Sequence, residues 1–349
     1  MSNESLLTEF AAGYGFPLDR YQVEACEHVE AGSGVLVAAP TGSGKTVVGE
    51  FAVFLALNRG TKCFYTTPIK ALSNQKFHDL VDRHGADNVG LLTGDTTING
   101  EAPVVVMTTE VLRNMLYANS PALYGLSYVV MDEVHFLADR MRGAVWEEVI
   151  LQLPDEVRLV SLSATVSNAE EFGGWIQTVR GDTTVVVDEH RPVPLWQHVL
   201  VGKRLFDLFD YSADKGGTGK QHLVDPTLLR HIANRREADR LADWQPRHRG
   251  RGRSDERRTG PVRGLHRPPS RPDVIAALDR EGLLPAIFFI FSRAGCDAAV
   301  GQLMHSGLRL TNSAERRELE AIAATHIEGL SPSDLDALDY GSFLAAFRN

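Results

Sequence analysis

Two short runs hold residue types suited to phosphate chemistry. The first, Ala39-Pro40-Thr41-Gly42-Ser43-Gly44-Lys45-Thr46, follows the apolar residues 35–39 and opens a helical pattern over residues 47–57. Glycines at 42 and 44 let the backbone turn tightly and aim its N–H groups at phosphate oxygens, and a helix start adds positive potential. Lys45 is then placed to reach the β- and γ-phosphates of a nucleotide, and the Thr46 hydroxyl to bind Mg²⁺. A glycine-rich turn that binds nothing is the plain alternative, and the order strand, loop, Lys-Thr, helix argues against it. The second run, Asp132-Glu133-Val134-His135, follows the apolar residues 128–131 and lies 87 residues after Lys45. An aspartate there can hold Mg²⁺ through its water shell, while the adjacent glutamate orients and deprotonates an attacking water. His135 alone reads as a structural histidine. Within the tetrapeptide it reads as a link from nucleotide to a second lobe.

Both runs need strands to hold them. Residues 35–39, 62–66, 104–107, 128–131 and 158–162 are short and rich in β-branched or aromatic residues, and helical patterns separate them. That alternation predicts right-handed βαβ units and a parallel sheet. Ligand chemistry in such a sheet belongs at the carboxyl ends of the strands, where both runs begin. Three further polar turns stand at strand ends: Thr66-Thr-Pro-Ile-Lys-Ala-Leu-Ser-Asn-Gln75, Leu92-Thr-Gly-Asp95 and Thr108-Thr-Glu-Val-Leu-Arg113. Each alone reads equally well as a helix cap. Ser163-Ala164-Thr165 ends another strand, and its hydroxyls could likewise cap a helix near Ser167.

With these runs in this order, the chain resembles the superfamily-two helicases of the DExH box, in particular the superkiller-type RNA helicases. The resemblance runs from about Phe16 to the end and is loose across an arginine-rich segment. It implies an α/β fold: a RecA-like P-loop parallel-sheet lobe over residues 1–200, a connector over 201–272, and the beginning of an incomplete second RecA-like lobe over 273–349. It also implies ATP and Mg²⁺ as cofactors. Pro40, Thr41, Gly42, Ser43, Gly44, Lys45 and Thr46 would form the nucleotide loop, with Lys45, Asp132 and Glu133 catalytic and Thr46 and Asp132 on the metal. Phe16-Pro-Leu-Asp-Arg-Tyr-Gln22 matches the adenine-recognition segment, so that Phe16 packs near the base and Gln22 reads its edge; taken alone, Phe16 reads as a core residue. Pro68, Lys70, Asn74, Gly94, Thr109 and Glu110 fall on motifs that follow a nucleic-acid backbone, implying single-stranded RNA as partner with DNA possible. Backbone contacts of that kind carry no sequence preference. Ser163 and Thr165 match the motif that couples hydrolysis to strand movement. Arg142-Gly143, Trp146-Glu147-Glu148 and Arg191-Pro-Val-Pro-Leu195 favour the superkiller branch over the plain DEAD-box group.

Composition sets outer limits. The chain has 349 residues, 43% of them hydrophobic, enough for sizeable cores in about two domains. The net charge of −9 conceals nine arginines against two carboxylates between Arg247 and Arg271. Residues 244–272 therefore read as a disordered linker, which could touch phosphate or merely be solvated. Arg249-Gly-Arg-Gly-Arg253 superficially imitates an arginine finger, but its setting argues against that role. No run approaches a membrane span and no secretory signal is apparent, so a cytoplasmic protein is expected. Cys26, Cys63 and Cys296 have no metal-ligand spacing. Order is expected to resume at residues 274–278 and with a strand over 286–291, where Phe289-Ile-Phe-Ser-Arg-Ala-Gly-Cys-Asp297 matches the opening of the second lobe. The family's last two motifs are not found between Ala298 and Asn349. An arginine finger contributes about 10³–10⁵ in rate, so slow hydrolysis is expected, and a noncatalytic ATP- and RNA-binding module is the competing reading. A P-loop kinase or transporter ATPase lacks the adenine segment and the Ser-Ala-Thr run.

Overall fold

The computed structural model describes residues 5–164, 169–210, 223–244, 269–327, 331–337 and 339–348. They divide into two compact units, residues 1–195 and 196–349.

The first unit opens with α1 (Leu6–Ala12) and α2 (Arg20–Ala31), which precede β1 (Gly34–Ala38) and α3 (Thr46–Arg59). Next come β2 (Lys62–Thr67), α4 (Lys70–His84), β3 (Val89–Leu92), β4 (Thr97–Ile98) and β5 (Val104–Thr108). The unit closes with α5 (Thr109–Tyr117), β6 (Leu126–Met131), α6 (Gly143–Gln152), β7 (Arg158–Ser163), α7 (Ala169–Arg180) and β8 (Thr183–Val187). The eight strands form one sheet in the order β4-β3-β5-β2-β6-β7-β1-β8, parallel except for the short β4 at one edge. All five strands expected from the apolar runs are present.

Alternation along each strand sends side chains to two cores. Val35, Val37, Tyr65, Val130 and Leu162 pack with α1 to α4 on one face. Leu36, Phe64, Val105, Val129 and Met131 pack with α5, α6 and α7 on the other. A sheet covered on both faces explains why its strands read as unbroken apolar runs. The helix that follows the nucleotide loop, α3, is buried on most of its circumference. Gly49 lets it approach closely, since a Cβ there would meet Val130 Cγ1 at 2.9 Å, Tyr65 Cε2 at 3.1 Å and Leu162 Cδ1 at 3.2 Å.

The second unit contains the hairpin β9 (His198–Val201) and β10 (Arg204–Asp207), then α8 (Pro226–Trp244) and α9 (Arg271–Arg280). It ends with α10 (Arg293–Ser306), α11 (Ser313–His326), α12 (Pro332–Ala337) and α13 (Tyr340–Phe347). Two expectations need correction here. Trp244 ends α8, and Arg271 and Pro272 open α9, so the expected linker is too wide at both ends. Ser270 caps α9 by accepting from Asp273 N–H, and proline fits a first helical turn because its missing N–H has no partner there anyway. The arginine-rich stretch between lies outside the described residues. The strand expected over 286–291 is not formed. Its alternation persists: Ile287, Phe289 and Phe291 are 82%, 82% and 101% exposed, while Phe288 and Ile290 face a hollow lined by Ile275, Ala299 and Leu303. A strand exists by pairing its N–H and C=O groups, and among the described residues no neighbour pairs with this one.

Replacing Gly49 with alanine tests the packing of α3. Alanine inside a helix ordinarily stabilises by about 0.5–1 kcal/mol. Here the overpacking against a stiff valine and two ring or branched neighbours reverses the sign, and Gly49→Ala is expected to lose about 1 kcal/mol, measured as a lower urea midpoint.

Candidate nucleotide site and nucleic-acid interface

Parallel pairing brings the strand ends to one edge in register: Ala38 lies beside Ser163, Met131 beside Ser161, Thr66 beside Met131, Thr67 beside Thr108, and Leu92 beside Met107. The motifs interleave in sequence, yet strand order sorts them into two contiguous halves. The ends of β6, β7 and β1 carry Asp132-Glu133-Val134-His135, Ser163-Ala164 and the glycine loop. The ends of β2, β5 and β3 carry the turns at Pro68, Thr109 and Gly94. The strands that lead to Lys45 and Glu133, β1 and β6, thus belong to one sheet and lie two strand spacings, about 10 Å, apart.

The glycine loop has the form of an anion receptor. Gly42 and Gly44 adopt φ +83° and +84°, a conformation that favours glycine. Among the described residues the backbone N–H groups of Gly42, Gly44, Lys45 and Thr46 meet no protein acceptor. The Lys45 side chain is 6% exposed and has neither a hydrogen bond nor an ion pair among those residues. An ammonium without a carboxylate, at the end of a largely buried side chain, is suited to meet an anion. Tyr21 and Gln22 brace the loop from behind: the Tyr21 hydroxyl donates to the Ser43 carbonyl at 2.6 Å, and Gln22 Nε2 to the Gly44 carbonyl at 2.9 Å. Gln22 Oε1 accepts from Asp19 N–H at 2.8 Å, so both ends of its amide are engaged. Phe16 is 57% exposed and meets the Tyr14 ring edge-on, contrary to the core reading of that residue. Pro40 and Ser43 are buried, Thr41 is exposed and Thr46 half-buried.

Asp132 is held at both carboxylate oxygens. Oδ2 accepts from the Tyr65 hydroxyl at 3.1 Å, and Oδ1 from Glu133 N–H at 2.9 Å. Burial, then the neighbouring Glu133 charge, holds its carboxyl above the usual carboxylate range. Each oxygen keeps a free lone pair, and a divalent cation would offset that accumulation of negative charge. The hard oxygen donors of Asp132 and Thr46 fit Mg²⁺. Glu133 sits at φ 52°, ψ 42°, a left-handed conformation uncommon outside glycine, as the chain turns sharply into the 3₁₀ segment Val134–Ala138. Its carboxylate lies 3.3 Å from His135 Nδ1, the nitrogen also approached by Ala164 N–H at 3.5 Å. His135 therefore touches both neighbouring strand ends. The Ser163 hydroxyl is buried without a partner among the described residues, and Thr165 lies outside them.

On the other half, the Lys70 ammonium grips the Asp95 carboxylate at 2.6 and 2.7 Å, and Thr93 steadies it at 3.1 Å. The Lys70 bond, followed by the Thr93 bond, lowers the Asp95 pKa. Pro68 is buried, Asn74 half-buried with its Oδ1 lacking a partner among the described residues, and Gly94 exposed with open space around it. Thr109 is fully buried, and its hydroxyl donates to the Thr67 carbonyl at 3.4 Å. Glu110 pairs with Arg142. Tyr65 and Tyr21 have clear places in the site that the sequence reading missed; the only signal was a tyrosine beside each motif.

The profile of the DEAD/DEAH box helicase family matches residues 19–172. The chain is 68% identical over 340 residues to "Probable helicase HelY" of Mycobacterium tuberculosis (strain ATCC 25618 / H37Rv), covering 97% of this chain and 36% of that protein. It is 38% identical to the DExH-box ATP-dependent RNA helicase DExH15, chloroplastic, of Arabidopsis thaliana, covering 90% of this chain and 28% of the relative. It is also 38% identical to Superkiller complex protein 2 of Homo sapiens, covering 94% and 25%. The chain therefore spans about a third or less of the length of these relatives. Among the described residues no helix is long and apolar enough to cross a membrane.

Lys45 provides a test with two readouts. Lys45→Met, which removes the unpaired ammonium and keeps the apolar stem, is expected to leave the ligand-free protein no less stable while abolishing nucleotide binding. Thermal denaturation without ligand and titration with a fluorescent ADP analogue measure the two effects.

Proposed function

Because residues 19–172 are a DEAD/DEAH box helicase domain, homologous to superkiller-type DExH helicases, we propose that this chain is the ATP-binding part of an RNA-stimulated helicase. The observation that supports this most directly is a single sheet edge with two unlike halves. One presents free N–H groups and a buried, unpaired lysine. The other presents polar turns at three adjacent strand ends.

In this reading the loop Pro40 to Thr46 wraps the phosphates, Lys45 neutralises the β- and γ-oxygens, and Thr46 and Asp132 hold Mg²⁺. The metal would supply charge neutralisation on the phosphates when bound. Glu133, whose carboxylate lies 3.3 Å from His135 Nδ1, orients the attacking water and takes its proton. Phe16 offers an exposed ring to the base. Gln22 ties that segment to the loop through Gly44 and meets the base edge only by exchanging one of its present bonds. His135, between Glu133 and Ala164, passes the state of the nucleotide to the Ser163-Ala164-Thr165 run. Lys70, Asn74 and Gly94 line a track for a sugar-phosphate backbone, with the buried Pro68 shaping its first turn, Glu110 beside it and Thr109 joining two of its turns from beneath. The RNA helicase name of the Arabidopsis relative favours RNA over DNA.

Phosphate release with single-stranded RNA, with DNA of the same sequence and with neither tests the assignment. RNA is expected to raise the rate, and Glu133→Gln to lower it by about 10²–10⁴. Equal stimulation by DNA would reassign the strand. Nucleotide and RNA binding without any turnover would make the chain a binding module.

A further inference from the structure

The chain between the Asp-Glu-Val-His turn and α6 is tightly pinned. The Asp139 carboxylate accepts from the N–H groups of Met141 and Arg142, both at 2.9 Å. Gly143 N–H donates to the Asp139 carbonyl at 2.8 Å, and a Cβ on Gly143 would come within 2.0 Å of the Leu137 carbonyl oxygen. Only glycine fits there, and the residue before it is fixed in place. From this anchored position the Arg142 guanidinium lies over the ring of Trp146, 5.7 Å from its centroid, and Trp146 is itself fully buried. One terminal nitrogen, Nη2, donates both to the Pro68 carbonyl and to the Glu110 carboxylate. A second pair, Arg113 with Glu148 at 3.7 Å, also joins α5 to α6.

Pro68 and Glu110 stand on two of the three turns assigned above to the nucleic-acid track. A carboxylate beside a phosphate chain repels it, and among the described residues Arg142 is the cation paired with Glu110. We propose that Arg142 is a positioning residue for nucleic-acid binding. Its guanidinium cancels the Glu110 charge, holds the Glu110 turn to the Pro68 turn, and ties both to the loop that follows the catalytic tetrapeptide. A planar guanidinium suits this task because its several donors can meet a carbonyl and a carboxylate together while its face rests on an indole. Lysine would keep the charge and lose that fork. The proposal rests on the strand-track reading, and it explains why arginine and glycine occur as a pair: glycine for the close approach, arginine for the latch.

Anisotropy titration of a fluorescein-labelled single-stranded RNA against the whole chain tests it. Arg142→Gln is expected to weaken binding about tenfold, the cost of leaving a charge unpaired in the track, with Arg142→Lys intermediate. Adding Glu110→Gln to Arg142→Gln should restore most of the lost affinity, because no uncancelled carboxylate remains; a fold defect could not be repaired in that way. The proposal is overturned if Arg142→Gln binds as the parent does, or if the double variant binds no better than Arg142→Gln. A parent chain that binds no RNA would instead bring down the strand-track reading itself, a result distinct from either of these.

Discussion

The pairing of β2 with β6 is the seam on which the rest of the molecule depends. Its ladder runs from Lys62 to Thr66 on one strand and continues past β6 with Asp132 N–H on the Thr66 carbonyl at 2.9 Å. That bond joins the first residue of the acidic tetrapeptide to the turn that begins the proposed nucleic-acid track. Because the strands are parallel, every chain segment leaving them emerges on the same side. Because β2 and β6 are neighbours, the last segment of one half touches the first segment of the other. Six motifs scattered over residues 39–165 thereby become a row of adjacent strand ends.

The two halves differ in how their charges are satisfied. The nucleotide half leaves an ammonium and several N–H groups without acceptors, and it buries Asp132 beside a second carboxylate, so that burial first and the Glu133 charge second push its pKa up. Both kinds of imbalance would be relieved together by a phosphate chain carrying a divalent cation, which is the ligand proposed for this half. The track half satisfies itself: Lys70 holds Asp95, and Arg142 holds Glu110. The Lys70 pair is a surface pair, screened by salt and open to exchange, so in the proposed reading an incoming phosphate would take the Asp95 place on the ammonium. The Arg142 pair is anchored over a buried indole and tied to a backbone carbonyl, which suits it to organise the track.

Much of this was legible in the sequence, for physical reasons that differ from residue to residue. Strands β1, β2, β5, β6 and β7 announced themselves because a sheet covered on both faces has no polar side to interrupt them. Gly42 and Gly44 announced a tight loop, and their positive φ values are what glycine supplies most cheaply. Strand order was not legible, since no local pattern says which strand pairs with which, and strand order is what sorts the motifs into halves. The roles of Tyr65 and Arg142 were hidden for the same reason, because their partners Asp132, Pro68 and Glu110 are distant in sequence. Phe16 misled as a lone aromatic, which reads as core when its neighbours are unknown. Residues 286–291 misled in the opposite sense: their alternation is that of a strand, but a strand also needs a partner.

The central claim is that one sheet edge binds nucleotide and nucleic acid at adjoining halves, and binding linkage tests it most directly. The measurement is the affinity of single-stranded RNA for this chain with and without a saturating nonhydrolysable ATP analogue and Mg²⁺, at fixed salt. Contact across the β2–β6 seam predicts that the nucleotide shifts RNA affinity, and that RNA shifts nucleotide affinity by the same factor. RNA affinity that is identical in the presence and absence of bound nucleotide would contradict it.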